Sequence, residues 1–209
     1  MNIHHLYRPF MYYFRTKRMK QFHRLFELEK TTQIMDVGGD LFNWSLIPNK
    51  PNLIIVNLYK PRENSILNGV TWIIADGCAL PFPDQSVEIV YSNSVIEHLS
   101  TLENQKRFAD EVRRVGKKYY VQTPNRYFWI EPHLLTPFIH FLPKKRQKRF
   151  LRHFSLWGWL THPSTQQIER FLEEIRLLNK KELESLFPDG IIWDERFFVW
   201  VKSYMVCKL

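Results

Sequence analysis

The chain has 209 residues, of which 44% are hydrophobic and 24% charged, a balance typical of a globular domain and far from that of a disordered chain. Its formal net charge is +9, and the excess lies near the N-terminus and around residues 144–152, so an acidic partner has to be considered. The two cysteines, Cys78 and Cys207, lie far apart, which argues against a disulfide framework or a zinc site and favours a reducing compartment.

The N-terminal segment is basic and rich in aromatic residues. Residues 3–29 contain no glycine and one early proline, Pro9, and this pattern predicts one or two helices packed against the main body. We assign residues 1–30 to an N-terminal basic helical cap. No apolar run is long enough to cross a bilayer, and no small-residue cleavage site follows the N-terminus. A cytoplasmic protein is therefore expected.

From residue 33 the chain changes to short apolar runs rich in Val, Ile and Tyr. Five of them, IMDV, NLIIVN, VTWIIAD, VEIVYSN and KKYYVQT, predict buried parallel strands because both faces of each are apolar. After the first run, Pro48 and Pro51 leave room for a helix of only a turn or two. The segment HLSTLENQKRFADEVRRV, between the fourth and fifth runs, has helical periodicity.

The C-terminal part predicts two helices and a hairpin. One helix is expected from about Gln166 to Leu178, and a second one begins at Asn179, which forms a capping box with Glu182. IIWDERFF and VWVKSYMVCK then read as two strands with almost no loop between them. Residues 31–209 are therefore predicted to form an α/β, Rossmann-like three-layer sandwich, with a seven-stranded, mostly parallel sheet and a C-terminal antiparallel hairpin.

Small and hydrogen-bonding residues stand at four consecutive strand ends. In open parallel sheets, ligands bind beyond the carboxyl ends of the strands. The residues there are Asp36, Gly38, Gly39 and Asp40; Asn57 and Leu58; Asp76 and Gly77; and Ser92, Asn93 and Ser94. Taken singly, such residues are also common as turn residues and helix caps. Their joint pattern predicts a ligand site along this edge of the sheet.

The segment DGCALPFPDQSVEIVYSNSVIEHL, residues 76–99, carries a more specific signal. It resembles the core of class I S-adenosylmethionine-dependent methyltransferases of the type-11 group. The matching positions are Leu80, Pro81, Phe82, Asp84, Glu88, Asn93, Glu97, His98 and Leu99. The resemblance is strong over residues 33–122 and looser in the closing helix and hairpin.

The resemblance implies S-adenosylmethionine as cofactor and a role for each strand end. Gly38 and Gly39 would face its methionine part, with Asp36 ordering that loop, while Asn57 and Leu58 would lie at the ribose. Asp76 would accept a hydrogen bond from the adenine amino group, with Gly77 and Cys78 supporting the ring. Ser92 and Asn93 would line the floor near the sulfonium. No metal ion is implied.

The glycine loop departs from the family pattern in two ways. The usual third glycine is missing, with Phe42 close by, so we expect a variant loop in which Phe42 and Trp44 close a shortened first helix. Asn57 stands where the family usually has an acidic residue that holds the ribose hydroxyls. Because charge-assisted hydrogen bonds are about twice as strong as neutral ones, a loss on the order of 1 kcal/mol in cofactor binding is expected.

Methyl transfer to a hydroxyl requires a group that takes its proton. His98, just past the fourth strand, is the first candidate for this base. The alternative is that His98 only packs against the cofactor loop. His133 and His140, in the aromatic segment that follows the fifth strand, are further candidates.

The acceptor is the least determined part of the prediction. Residues 124–168 are aromatic, proline-punctuated and then basic, which predicts a helical lid, and suits a small-molecule, sugar or lipid-linked acceptor and peripheral contact with an anionic membrane. O-methylation is the expected reaction. An RNA methyltransferase is the first alternative because of the charge, although Gln122-Thr123-Pro124-Asn125 lacks the Asn/Asp-Pro-Pro-aromatic turn of many amino-methylating enzymes. A non-catalytic binding protein on the same fold is the second.

Overall fold

A single seven-stranded sheet forms the centre of the protein. The computed structural model describes residues 3–48, 51–59, 69–131, 133, 134 and 136–209, without the side-chain surroundings of residues 3–8 and 156. Its strands are β1 (Gln33–Val37), β2 (Asn52–Asn57), β3 (Val70–Ile74), β4 (Val87–Asn93), β5 (Gly116–Pro124), a small ribbon of β6 (Ile130–Glu131) and β7 (Thr136–Pro137), and the hairpin of β8 (Ile191–Phe197) and β9 (Trp200–Lys208). The main sheet has the order β3-β2-β1-β4-β5-β9-β8.

The predicted sheet is confirmed. Strands β1 to β5 pair in parallel, and β9 pairs antiparallel with both β5 and β8. The hairpin has the short connection expected, since only Phe198 and Val199 lie between its strands. All five apolar runs are strands; β1, β2, β4 and β5 bury apolar side chains, whereas β3 lies at the edge of the sheet and has no buried residue, so it is not the buried strand predicted.

The helices agree with those predicted from the sequence, with one exception. They are α1 (Ile3–Leu25), α2 (Leu41–Trp44), α3 (Leu102–Val115), α4 (Lys144–Phe154), α5 (Leu156–Thr161), α6 (Thr165–Glu174) and α7 (Lys180–Leu186). The capping box at the start of α7 has both of its hydrogen bonds, between Asn179 and Glu182. The helix predicted to reach Leu178 is shorter: α6 ends at Glu174, and the extended chain that follows lets the Arg176 N–H donate to the Glu97 carbonyl at 2.8 Å.

Helices cover both faces of the sheet, which gives the predicted three layers. On one face α3 and α7 pack on the strands through Phe108, Val112 and Leu183, all fully buried. On the other face α1 contributes Met19 and Phe22, which pack around the stacked rings of Tyr91 and Tyr120. Burying a side chain of this kind stabilises the fold by about 1.5–3 kcal/mol. The basic N-terminal segment is thus one helix whose C-terminal half belongs to the core.

The segment after β5 has a small core of its own. The ribbon of β6 and β7 and helices α4 to α6 surround Leu134, Ile139, Leu151 and Ile168. Leu172 packs against this cluster from beyond residue 168. Among the helices that the structure describes, none is both long and apolar enough to cross a membrane.

Candidate active site

The four predicted strand ends lie side by side. Val37 at the end of β1 pairs with Val56 of β2, and Asn57 pairs with Ile74, the last residue of β3. On the other side of β1, Asp36 pairs with Tyr91, two residues before the end of β4. The sheet order reverses between β1 and β4, which is where open α/β sheets bind ligands.

Both glycines of the loop after β1 occupy positions that a larger residue could not take. Gly38 has φ of +76°, and a Cβ there would lie 2.7 Å from the Val95 side chain. A Cβ on Gly39 would lie 2.0 Å from Asp36 Oδ2, so the backbone crosses directly over this carboxyl group. The Gly38 N–H donates to the Val56 carbonyl at 2.7 Å, which joins the loop to β2. Two glycines are therefore enough to shape this loop.

Asp36 lies beneath the loop and is completely buried. The indole Nε1–H of Trp44 donates to its Oδ2 at 2.8 Å, and Oδ1 has no partner among the described residues. Burial raises the pKa of Asp36 to about 8, and the charge of Asp40 adds to this, against the smaller opposing effects of Trp44 and Arg15. Asp36 is thus a neutral hydrogen-bonding group at pH 7. It holds Trp44, the last residue of the four-residue helix α2, as the variant-loop prediction expects.

Asn57 connects the glycine loop to the end of β2. Its Nδ2 donates to the Gly39 carbonyl at 3.0 Å, and its Oδ1 accepts from the Leu58 N–H at 2.8 Å. A carboxylate could not make the first of these bonds, because it has no donor. Each amide atom keeps capacity for one more hydrogen bond. The side chain of Leu58 is exposed.

The end of β3 presents an exposed carboxylate on a tightly packed turn. Asp76 Oδ1 accepts from the Cys78 N–H at 2.9 Å, which leaves Oδ2 free for a ligand. A Cβ on Gly77 would lie 2.9 Å from Val37 and 3.1 Å from Phe108, so this position needs glycine. Burial raises the pKa of the Cys78 thiol to about 11, and the charge of Asp76 adds to this, so Cys78 stays protonated.

The two predicted residues of β4 are buried at its end. Ser92 is 1% exposed, and its hydroxyl donates to the Val37 carbonyl at 3.0 Å, so it joins β4 to β1 beneath the site. Asn93 Nδ2 donates to Ser94 Oγ at 3.4 Å, while its Oδ1 has no partner among the described residues. Ser94 adopts φ of +57° and donates to Gln122 Oε1 at 2.8 Å. The polar floor of the site is thus shared by β4 and β5.

A cavity of about 480 Å³ opens beside the ends of β4 and β5. We call it the acceptor cavity, after the role that we propose for it. Its apolar walls come from α1, from the segment after β5 and from the hairpin: Phe10, Met11, Phe14, Phe128, Ile130 and Phe197. Its polar walls include Ser94, Gln122, Asn125, Glu97, His98 and His133. None of the residues predicted to bind the cofactor lines it, so it forms a separate compartment next to the strand-end site.

A buried ionic cluster forms one wall of the acceptor cavity. Arg18 of α1 donates to both oxygens of Glu195 at 2.8 and 3.1 Å, and Lys202 Nζ lies 2.8 Å from Glu195 Oε2. The Ser203 hydroxyl donates to the same carboxylate. Lys202 Nζ also lies 3.9 Å from the centroid of the Phe14 ring. Burial lowers the pKa of Lys202 to about 8 despite the attraction of Glu195, and Arg18 lowers it further.

A second cluster at the cavity combines two histidines with two acidic residues. Glu97 and His98 lie in a 3-10 helix, Ile96–His98, and His133 follows the ribbon strand β6. Loss of hydration in the cavity wall and the charge of the nearby His133 lower the pKa of His98 to about 4, so its imidazole is neutral at pH 7. Burial opposes protonation of His133, yet the hydrogen bond to Glu131 and the charges of Glu131 and Glu97 raise its pKa. His140 does not line the cavity and bonds the Arg126 carbonyl at 3.1 Å.

Sequence reasoning missed most of the acceptor cavity. Arg18 and Glu195 are 177 residues apart, and no local pattern connects them. Glu97 and His133 come together only because the chain after β5 returns over β4. The one available signal was the run of Glu and His on both sides of β5, in EHL and in EPH.

Comparison with known proteins gives one family match. The family profile described as "Methyltransferase domain" matches residues 49–119, which begin after the glycine loop. No curated protein matches the sequence.

Three solved structures show the same fold. The PH0226 protein from Pyrococcus horikoshii OT3 is 15% identical, with 94% of this chain and 90% of that chain covered and a TM-score of 0.57. A SAM-dependent methyltransferase from Methanosarcina mazei is 16% identical, with 86% and 92% covered and a TM-score of 0.50. Phosphoethanolamine N-methyltransferase 2 from Haemonchus contortus, solved in complex with S-adenosyl-L-methionine, is 14% identical, with 85% and 38% covered and a TM-score of 0.52.

Proposed function

We propose that this chain, whose residues 49–119 match the methyltransferase-domain family, is an S-adenosylmethionine-dependent methyltransferase that methylates a hydroxyl oxygen of a small amphipathic acceptor. The observation that supports this proposal most is the acceptor cavity, about 480 Å³ in volume, beside the strand-end site. In the reaction the acceptor oxygen attacks the methyl carbon, the S–CH₃ bond breaks and an O–CH₃ bond forms. The products are S-adenosylhomocysteine, the methyl ether and a proton.

We propose that the cofactor lies along the four strand ends. Gly38 and Gly39 admit its methionine part because no Cβ stands above Asp36. Asn57 and Leu58 lie at the ribose, with Asn57 using the hydrogen-bonding capacity that its two internal bonds leave. The internal use of Asn57 supports the expected loss of affinity, on the order of 1 kcal/mol relative to an acidic residue there.

The adenine and sulfonium ends follow from the next two strands. The free Oδ2 of Asp76 accepts from the adenine amino group, on the turn that Gly77 and Cys78 form. Asn93, whose Oδ1 has no partner among the described residues, directly precedes the cavity-lining Ser94, and Ser92 joins β4 to β1 beneath the site. The methyl group would therefore point from the end of β4 toward the cavity.

The walls of the cavity indicate an acceptor with an apolar body and an anionic group. The aromatic side chains of Phe10, Phe14 and Phe197 provide the apolar part. In the ionic cluster, two cations and one carboxylate leave a net charge of +1. Lys202 uses one of its three N–H donors for Glu195 and has two more to donate. Arg18 Nε has no partner among the described residues. A carboxylate or phosphate on the acceptor would complete this cluster.

The acceptor hydroxyl also has to lose its proton. His98 lines the cavity next to the end of β4, and its neutral imidazole has a free lone pair at pH 7. His133, which lies close to it, is the second imidazole on that wall. These two histidines are the groups that we expect to assist the loss of this proton.

We also propose that residues 124–168 act as a lid that touches the cytoplasmic face of an anionic membrane. Phe154 and Trp159 are 71% and 72% exposed, next to the exposed basic side chains of Arg149 and Arg152 on α4. Aromatic and basic residues side by side suit the lipid–water interface. A lipid-linked or otherwise amphipathic acceptor would reach the cavity from this surface. The division into a cap, 1–30, and a main domain, 31–209, remains part of the same proposal.

The direct test is methyl transfer from labelled S-adenosylmethionine to sets of acceptors that differ in one feature. Hydroxylated carboxylic acids and phosphate monoesters would be compared with the matching uncharged alcohols and amines, and with RNA. We expect label in the anionic amphipathic hydroxyl compounds, in base-stable ether linkage. Label confined to RNA would overturn the proposal in favour of nucleic-acid methylation, and label in amines would overturn O-methylation.

A further inference from the structure

Three potential metal ligands meet on one wall of the acceptor cavity. One ligand atom each of Glu97, His98 and His133 lies within 4.8 Å of the others. The imidazole rings of the two histidines are 4.9 Å apart between centroids and nearly perpendicular, at 85°. All three side chains line the cavity, so a ligand bound between them would be reached from the acceptor compartment.

Glu97 is a buried carboxyl group, and burial raises its pKa. Its residue is 0% exposed, and its Oε2 accepts from the Thr123 hydroxyl at 3.0 Å. Its Oε1 is buried without a hydrogen-bond partner among the described residues. An unpartnered carboxylate oxygen is among the most costly groups to bury, because it loses its hydration and gains nothing in return. A cation at this oxygen would remove that cost.

His133 has the surroundings of a histidine that binds a metal ion. Its Nδ1 is 2.7 Å from Glu131 Oε1, and Glu131 is itself 3% exposed and held by the Leu134 N–H at 2.6 Å. A carboxylate behind one ring nitrogen fixes the ring and leaves the other nitrogen free. Outer carboxylates of this kind orient histidine ligands in metal sites. The pair thus preorganises Nε2 of His133.

We propose that Glu97, His98 and His133 bind one divalent transition-metal cation, with Glu131 as the outer carboxylate behind His133. Two imidazoles and one carboxylate with one open position are a ligand set that suits Zn²⁺. A cation with charge +2 would favour the ionised form of Glu97 and would balance the charges of Glu97 and Glu131. Metal–ligand distances of about 2.1 Å in a tetrahedron require ligand atoms about 3.4 Å apart, so small side-chain rotations would close the site from its present spread.

The open position of this site would face the acceptor. This step rests on the proposed function: the acceptor hydroxyl would occupy the fourth position, and coordination would lower the pKa of that hydroxyl so that its proton passes to solvent. The deprotonated oxygen would then attack the methyl carbon, and this step involves no oxidation or reduction. The two histidines would serve the deprotonation by holding the metal ion.

The experiment is calorimetric titration of Zn²⁺ into protein freed of metal by a chelator and then by dialysis. We expect one equivalent to bind with a dissociation constant in the micromolar range or below. Glu97→Gln and His133→Gln should each weaken binding by at least 100-fold, whereas His153→Ala, on the exposed face of α4, should leave it unchanged. Circular dichroism of each variant shows whether it is folded, and Co²⁺ added to the wild type should give the intense visible bands of a tetrahedral site.

Two results would overturn the metal site. One is the absence of stoichiometric Zn²⁺ binding to the folded wild type, and the other is equal binding by the wild type and the folded Glu97→Gln variant. S-adenosylmethionine binding is measured on the same metal-free protein, because the strand-end site does not include these residues. Zn²⁺ binding without cofactor binding would refute the proposed function and support the metal site. Cofactor binding without Zn²⁺ binding would refute the metal site and leave the proposed function in place.

Discussion

Asp36 gives the most quantitative prediction, because a buried neutral carboxyl group makes stability depend on pH. The structure raises its pKa to about 8 in the folded protein, from 3.8 in the unfolded chain. Between these two values the unfolded chain has released a proton that the folded protein keeps. The contribution of Asp36 to stability is therefore fully present below pH 3.8 and is lost as the pH rises toward 8.

The size of this loss follows from the two pKa values. Each pH unit in the window costs about 1.4 kcal/mol, so the step from pH 4.5 to 7.5 costs about 4 kcal/mol. Asp36→Asn keeps an acceptor for the indole N–H of Trp44 and has no proton to lose. The variant should therefore gain about 4 kcal/mol relative to the wild type over that step. In a chain of this size the gain corresponds to roughly 8–16 °C in the midpoint of thermal unfolding.

The assay is urea unfolding of both proteins at pH 4.5 and 7.5, followed by tryptophan fluorescence. Asp110→Asn, on the exposed side of α3, controls for the general effect of removing one carboxylate. If the stability difference between Asp36→Asn and the wild type is the same at both pH values, Asp36 is not a buried neutral acid and the reasoning is wrong. A difference that grows toward acidic pH would be equally damaging.

The other predictions concern the two compartments of the site. Gly39→Ala should abolish detectable cofactor binding, because its Cβ would lie 2.0 Å from a carboxyl oxygen of Asp36. Gly69→Ala, which is strained by φ of +86° but has nothing within 4 Å of its Cβ, should bind the cofactor normally, and calorimetry of the two folded variants decides this. Glu195→Ala leaves two buried cations unpaired and should cost about 3–5 kcal/mol in urea unfolding; a cost below 1 kcal/mol would show that the cluster is hydrated. Octanoate serves as an anionic probe of the cavity. It should bind about tenfold more weakly at pH 9 than well below pH 8, because Lys202 loses its proton near pH 8. Lys202→Met should remove this dependence on pH. Octanol should show no such dependence, and a similar loss for both probes would refute the role of Lys202.

The fold could be predicted because its determinants are local. The runs IMDV, NLIIVN and VEIVYSN bury apolar side chains on both faces, and this requirement is visible in the sequence itself. The same holds for the capping box of α7, whose two partners are three residues apart. The end of α6 was misplaced because the apolar residues after Glu174 fit a helix, while the chain there extends to hydrogen-bond the segment after β4.

The residues proposed for the cofactor could be named from the sequence because they lie at strand ends: Asp36, Asn57 and Asn93 within the last residues of β1, β2 and β4, and Asp76 shortly after β3. The sequence did not show which hydrogen bonds each of these side chains makes within the protein. Asn57 makes hydrogen bonds to the backbone of Gly39 and Leu58, and Ser92 makes one to the backbone of Val37. These bonds depend on the register of neighbouring strands. The acceptor cavity depends on contacts between distant segments, such as Arg18 with Glu195, which no local pattern encodes.

The central claim is that the four strand ends form a binding site for S-adenosylmethionine. Calorimetric titration of the cofactor into the purified wild type tests it most directly, with Asp76→Ala and Lys145→Ala as matched variants. We predict one site, weakened by roughly 10–100-fold in Asp76→Ala through the loss of a charge-assisted hydrogen bond, and unchanged in Lys145→Ala on the exposed face of α4. No detectable heat at high ligand excess would contradict the claim, and equal losses in both variants would show that the site lies elsewhere.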